Sequence, residues 1–178
     1  MGRRVPPQRG SSTEGSPPGG LALSSEQVEL LESGVSILVG TCDANHRPET
    51  TRGLGVRVSA DRRTVTVLLN AALANRVRDD LAADRAAGGR IAVAFSRIFD
   101  HHSIQLKGRA VALRDGDGED TLVQQRYLVA FAEQLSIAGL PRSVVQQIHL
   151  SPCLAVDVEV EAIFDQTPGP RAGVEVGS

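Results

Sequence analysis

Short segments rich in β-branched and apolar residues recur along the chain, and this recurrence limits the possible folds more than any other feature. The segments "VSILVGTCD", "ETTRGLGVRV" and "TVTVLLN" follow one another and are separated only by the turn-forming stretches "DANHRP" and "SADRR". Segments of this composition favour strands. Because short turns join strands that run in opposite directions, the sequence predicts a mostly antiparallel sheet.

The predicted elements run in the order helix, three strands, helix, two strands, two helices and a last strand. The first helix follows Ser24, which lies three residues before Gln27 in the spacing of a capping box. The second helix is predicted because Leu73, Val77 and Leu81 share one helical face. The last strand, "LAVDVEVEAIF", alternates valines with acidic residues. Six such strands can close into a small barrel with helices packed outside it.

The length of 178 residues, 41% of them hydrophobic, suits a single folded domain. Residues 1–20 are rich in Gly, Pro, Ser and Arg and are predicted to be a disordered tail. We place the domain at residues 21–166 and a C-terminal tail at residues 167–178. No apolar run reaches the roughly 20 residues of a membrane span, so we expect no membrane contact and a cytoplasmic protein. In that setting Cys42 and Cys153 are expected to be reduced packing residues.

Charge and aromatic content argue against a nucleic-acid partner. The formal net charge is −2, Trp is absent, Tyr occurs once and Phe four times. Proteins that bind nucleic acid usually present a basic face with stacking aromatic side chains. The composition therefore excludes nucleic acid from the expected partners, and it leaves few aromatic side chains to stack on any flat ligand.

Candidate metal and catalytic motifs fail on spacing. The stretch "DGDGED" lacks the glycine and the glutamate of a calcium loop and is predicted to be a turn that caps the next helix. His101 and His102 are adjacent, so on a strand their side chains point to opposite faces and suit no shared ion. No Gly-x-Ser-x-Gly elbow occurs. We predict no metal site and assign no catalytic residue.

Two polar strand segments remain as candidate binding surfaces. In "TTRGLGVRV", two arginines flank a glycine-rich core that lets a ligand approach the backbone, and arginine suits phosphate. In "HHSIQLKGRAVAL", Ser103, Gln105 and Lys107 share one face of the predicted strand. Either segment taken alone is also compatible with an ordinary solvated barrel face.

In their order and spacing, these segments resemble the pyridoxamine 5′-phosphate oxidase-like, FMN-binding split-barrel family. The resemblance covers roughly residues 24–113, from "GTCDANHRPETTRGLGVRV" through "TVTVLLN" and "GGRIAVAFS" to "HSIQLKGRAVAL". It implies a mainly β fold of the α+β type: a six-stranded antiparallel split β-barrel with flanking helices. It also implies FMN as cofactor, a small-molecule substrate and a homodimer with the flavin between the subunits.

The resemblance implies a flavin strand in the first polar segment. The family's Arg-x-Val-Leu-Leu-Lys pattern matches the six residues that begin at Arg52. Arg52, Gly53, Leu54 and Gly55 would then contact FMN. Arg57, which replaces the final Lys of the pattern, would face the substrate.

Further FMN contacts are implied on other strands. The family's residues after the third strand fall on Leu69 and Asn70, and its fifth-strand Gln corresponds to Ser103, with Gln105 two places on and on the same face. The family's Ser-Arg-Lys phosphate segment is represented only by "AALANR", in which Asn75 and Arg76 are the remaining candidates.

The departures from the family pattern leave two hypotheses for function. The Arg-Pro-Arg substrate segment and the terminal Trp and Arg motif are absent, which argues against pyridoxamine phosphate as the substrate. The first hypothesis is an FMN-dependent oxidoreductase of another substrate. The alternative is a carrier or sensor that binds flavin or haem without turnover, with His101 and His102 as the residues that make haem a candidate.

Overall fold

The computed structural model describes residues 20–83 and 89–177, so the predicted N-terminal tail lies outside the described residues except for Gly20. The helices and strands occur in the predicted order. Their bounds are α1 Ser25–Glu32, β1 Ser36–Cys42, β2 Pro48–Val58, β3 Thr64–Asn70, α2 Asn75–Ala83, β4 Arg90–Ser96, β5 Ser103–Asp115, α3 Gly118–Ile137, a 3-10 helix Arg142–Gln147, and β6 Cys153–Asp165.

The six strands form a closed barrel in the order β1-β2-β3-β6-β5-β4, and every neighbouring pair is antiparallel. This confirms the predicted six-stranded antiparallel barrel. Alternate side chains of each strand fill the interior, as the period of two requires. On β6, Val156, Val158 and Val160 are buried, while Asp157 and Glu159 stay partly accessible.

The helices begin where the sequence places their caps. The Ser24 hydroxyl accepts from the Gln27 amide and the Gln27 side chain accepts from the Ser24 amide, which confirms the capping box. The "DGDGED" stretch caps α3 through Asp117. Leu73 is a correction: α2 begins only at Asn75, so Leu73 lies in the preceding turn and is 78% exposed.

Beyond β6 the chain turns back onto the barrel. The Gly173 amide donates to the Asp165 carbonyl, and the Val176 amide donates to the Ile163 carbonyl at 2.7 Å. Glu175 pairs with Phe164 in an antiparallel bridge. Part of the segment predicted as a C-terminal tail is therefore hydrogen-bonded to the edge of β6.

A bulge in β2 decides which side of the barrel carries the two arginines. Gly53 pairs with Leu69 but Val56 pairs with Val67, so β2 contains one extra residue at this point. Arg52 and Arg57 are five residues apart and would lie on opposite faces of a regular strand. With the extra residue both project outward, toward α3.

Helix α3 covers the outside of β2 and is held by buried polar side chains. Asp120 is 1% exposed and accepts from Arg114. These hydrogen bonds from Arg114 hold the pKa of Asp120 below its usual value, against the opposing effect of burial. About two turns further on, the Tyr127 hydroxyl donates to the Val35 carbonyl at 3.1 Å, and its ring stacks on Phe131.

Tyr127 makes the stability of the fold vary with pH in the alkaline range. Burial raises the pKa of its phenol to about 12, with Arg52 opposing that rise. The unfolded chain therefore loses this proton near pH 10 while the folded chain keeps it, so stability is intact below pH 10 and falls as pH rises toward 12. We expect the free energy of unfolding to drop by about 2 to 3 kcal/mol over that interval.

The chain contains a single Tyr and no Trp, so near-ultraviolet phenolate absorbance reports Tyr127 alone. Denaturant unfolding at a series of pH values measures the energetic effect. Tyr127→Phe is the matched control: it should abolish both the absorbance change and this part of the pH dependence. A phenol that titrates near pH 10 in the folded protein would contradict the prediction.

Candidate functional site

A cleft of about 470 Å³ opens on the outside of the barrel, and we call it the Arg52 cleft. It lies between the middle of β2, the turn after β3, and residues 147–151, which precede β6. The lining residues are Thr51, Arg52, Leu54, Asn70, Ala72, Leu73, Gln147, Ile148, His149 and Ser151. Three predicted cofactor residues, Arg52, Leu54 and Asn70, therefore meet at one site.

The guanidinium group of Arg52 lies over the Phe131 ring, 4.5 Å from its centroid. A guanidinium stacked on an aromatic ring keeps the N–H donors at its edge available, because those donors point outward in its plane. The contact also restricts the conformations of a long side chain that is otherwise exposed. Arg52 therefore presents oriented donors and a positive charge to the cleft.

Asn70 is buried and forms the floor between two walls of the cleft. Its Nδ2 donates to the His149 carbonyl at 2.8 Å and lies 3.5 Å from the Ser151 carbonyl. Its Oδ1 accepts from the amides of Ala72 and Leu73 at 2.9 and 3.3 Å. Because both ends of the amide are occupied within the chain, Asn70 positions the cleft walls and has little left to offer a ligand.

The wall formed by residues 147–151 was not predicted from the sequence. A second buried amide, Gln124 on α3, donates to the Leu150 carbonyl at 3.4 Å, and the Ala71 amide donates to the Pro152 carbonyl at 2.7 Å. The hydrogen-bond donors to this segment lie 26 to 81 residues away in sequence, so no local sequence pattern predicts these hydrogen bonds. The one available signal is the position of Gln124 on the same helical face as Tyr127 and Phe131, where a polar side chain needs a hydrogen-bond partner when it is buried.

Several predicted cofactor residues lie in the barrel wall beside the cleft. The side chain of Leu69 is fully buried in the barrel interior. Gly53 faces the same interior, where a Cβ would clash with the Ile37 side chain. Gly55 has a φ of 150° and packs against Val123 of α3, so only glycine suits this position of the bulge.

Arg57 and Asn75 lie outside the Arg52 cleft. Arg57 is ion-paired with Glu119 at 3.2 Å and with Asp120 at 3.7 Å. It lines a different cleft, of about 370 Å³, between β2 and α3. Asn75 is exposed at the start of α2 and donates to the Ala72 carbonyl at 3.2 Å.

The two predicted residues of β5 lie on another part of the barrel. Ser103 is buried, and its hydroxyl is 2.9 Å from the Ser96 hydroxyl and 2.8 Å from the His101 carbonyl. Gln105 lies in a continuous row across four strands, in which Arg52 pairs with Leu38, Leu38 with Ala94, and Ala94 with Gln105. The row places Arg52 and Gln105 at opposite ends of one outer face.

We call this surface the Leu38 face; the outward residues at its centre, on β1 and β4, are Leu38, Gly40, Ala92 and Ala94. Leu38 is 53% exposed although it lies in the middle of the face. The other three side chains are small or absent, which leaves the surface flat. A flat face with an exposed apolar centre is suited to contact with another protein surface.

No group of three or more potential metal ligands occurs within residues 20–83 and 89–177. Neither the 20-residue α3 nor any other helix in the described part is long and apolar enough to cross a membrane.

The two adjacent histidines lie in and just after the turn that precedes β5. His101 has a φ of 59°, and the His102 amide donates to the Asp100 carboxylate at 3.1 Å.

No protein-family model matches the sequence, and no curated protein matches it. The fold is similar to solved structures. HupZ from Group A Streptococcus matches with a TM-score of 0.51 and 18% identity over 85% of this chain and 99% of HupZ. A protein from Lactobacillus delbrueckii, provisionally assigned as a pyridoxamine 5′-phosphate oxidase, matches with a TM-score of 0.50 and 15% identity over 80% of this chain and 93% of its own. Sequence identities this low make the likeness informative about the fold alone, and it confirms the predicted split-barrel fold.

Asn70 gives the cleft its shape, and its replacement tests that role. Asn70→Ala removes a buried side chain and leaves the His149 carbonyl and the Ala72 amide without these partners, so we expect a loss of about 1 to 3 kcal/mol in the free energy of unfolding. Asn75→Ala is the matched control, because it removes one exposed hydrogen bond and should change stability by no more than about 0.5 kcal/mol. Chemical denaturation measures both. Equal effects would contradict the positioning role of Asn70.

Proposed function

We propose that the protein is an FMN-dependent oxidoreductase that acts on a small-molecule substrate and holds its flavin in the Arg52 cleft. The observation that carries the proposal is the meeting of Arg52, Leu54 and Asn70 in one cleft. The family resemblance implied an FMN contact for each of them, and they come from two strands with no common local motif. The split-barrel fold supports the same assignment, because the first polar segment lies on β2 as the resemblance requires.

The residues present fit a flavin nucleotide in chemistry and in space. The cleft volume falls within the range of about 300 to 1,000 Å³ that is usual for cofactor sites. Leu54, Leu73 and Ile148 offer aliphatic surface for a flat ring, while Arg52 offers donors for an anionic group. A bound flavin supplies hydride or electron transfer, and the chain's own residues bind and orient it.

We further propose a homodimer that is formed through the Leu38 face. A two-fold axis parallel to the strands, between β1 and β4, would set β2 of one subunit opposite β5 of the other. Arg52 of one subunit would then face Gln105 of the partner subunit, because the two lie at opposite ends of the same row. This arrangement accounts for predicted cofactor residues on two distant strands.

Arg52→Ala tests the proposed cofactor site. If Arg52 contacts the nucleotide, its removal eliminates a charge-assisted interaction of roughly 1.5 to 3 kcal/mol, so FMN affinity should fall about tenfold or more. Flavin fluorescence titration measures the dissociation constant. Circular dichroism and thermal unfolding check that the fold is retained.

Arg57→Ala is the matched control, because Arg57 lies on the same strand and the same side of the barrel but is paired with Glu119. FMN affinity should be unchanged in this variant. Equal losses at both positions would contradict the assignment to the Arg52 cleft. Flavin that binds but is not turned over with any reductant, or haem that binds where FMN does not, would favour the carrier or sensor alternative.

The dimer is tested by a charged residue on the Leu38 face. Ala94→Arg places a long cation at the centre of the proposed contact and should convert the dimer to a monomer, since an unpaired interfacial charge is costly. Val111→Arg is the control, because Val111 is 57% exposed at a β5 bulge away from this face. Light scattering measures the mass. A monomeric wild-type protein, or a dimer that persists in Ala94→Arg, would contradict the proposal.

A further inference from the structure

We infer that residues 147–151 recognise the phosphate monoester of the bound nucleotide, with His149 donating to a phosphate oxygen alongside Arg52. The inference rests on the proposed function, since it concerns the ligand of the same cleft. It names a contact that the sequence does not indicate, and it addresses how a phosphate is held here without the Ser-Arg-Lys segment of the family.

The backbone that follows the 3-10 helix, at residues 149–152, is held by hydrogen bonds to distant parts of the chain. Four consecutive carbonyls, those of residues 149–152, accept hydrogen bonds or lie within reach of a donor. Two of the donors are the side chains of Asn70 and Gln124, which are 5% and 1% exposed. Burying an amide is unfavourable unless it is paired, so both side chains stay committed to this backbone.

The consequence of this anchoring is a fixed position for the exposed His149. Its own carbonyl is bonded to Asn70 at 2.8 Å, so the backbone atoms from which the imidazole extends move little. A recognition group that is placed before the ligand arrives loses less entropy on binding. The segment is therefore built to present side chains to the cleft.

The charges of the cleft indicate an anionic ligand. Among its ten described lining residues, Arg52 and His149 are the ones able to carry positive charge, and no Asp or Glu is included. Thr51, Gln147 and Ser151 add neutral donors. A phosphate monoester, with its several acceptor oxygens, matches this set of donors.

The alternative phosphate contacts suggested by the sequence are engaged elsewhere. The Arg76 guanidinium is paired with Glu49 at 3.4 Å, and the Asn75 side chain donates to the Ala72 carbonyl. Neither residue lines the Arg52 cleft. The turn after β3 therefore supplies no free side-chain donor to the cleft through Asn75 or Arg76. Residues 147–151, on the other wall of the cleft, supply donors instead.

FMN and riboflavin differ only in the phosphate, so their relative affinity isolates this contact. The experiment measures dissociation constants of both for the full chain, by flavin fluorescence, in wild type, His149→Ala, His149→Gln and Gln146→Ala. Gln146 is the matched control, because it is exposed immediately before this stretch, in the 3-10 helix, and does not line the cleft. His149 is itself exposed, so its replacement leaves the core intact, which thermal unfolding verifies.

We expect His149→Ala to weaken FMN about tenfold and to leave riboflavin unchanged, as loss of one hydrogen bond to a charged group predicts. His149→Gln, which keeps an N–H donor, should restore part of the affinity, and Gln146→Ala should behave as wild type. Equal losses for FMN and riboflavin, or no loss for either, would overturn the inference while leaving the proposed function standing. A wild-type chain that binds no FMN would overturn both.

Discussion

The extra residue in β2 is the constraint on which the site depends. A regular strand would send one of its two arginines into the barrel, where burial of an unpaired charge is prohibitive. The bulge between Gly53 and Val56 keeps both arginines outside. It requires glycine, because Gly53 approaches Ile37 too closely for a Cβ and Gly55 adopts a φ of 150°. Two glycines thus decide that Arg52 and Arg57 share the surface covered by α3.

Helix α3 connects that surface to several other parts of the protein. Four of its residues, at spacings of four, three and four, form one buried face, and each is tied to a different part of the protein. These are Asp120 with Arg114 and Arg57, Gln124 with the Leu150 carbonyl, Tyr127 with the Val35 carbonyl, and Phe131 with the Arg52 guanidinium. One helix therefore orients Arg52 and anchors the far wall of the cleft. Such coupling joins the stability of the fold to the geometry of the site.

The cleft is accordingly made of side chains with two kinds of role. Asn70 and Gln124 are buried, and their side-chain amides form hydrogen bonds with backbone carbonyls. Arg52 and His149 are accessible and keep donors for a ligand. Asn70 and Gln124 fix the backbone at His149 and Leu150, and Phe131 orients Arg52. Groups placed in this way would bind a charged ligand without a large reorganisation. The chain has few aromatic residues, so the proposed site would hold a flat ligand through aliphatic surface and hydrogen-bond donors instead of ring stacking.

The sequence by itself determined the strands, their antiparallel order, both helix caps and the likeness to a split barrel, because these features depend on alternation, turn residues and cap spacing within a few positions. It also marked Arg52, Leu54 and Asn70. Only the tertiary structure separated these from Arg57, which is ion-paired in another cleft, and from Gln105, which lies across the Leu38 face. Only the tertiary structure revealed His149. Its segment carries no periodic pattern, and what fixes it are hydrogen bonds from Asn70 and Gln124, residues that closure of the barrel and docking of α3 bring together from far apart in the chain.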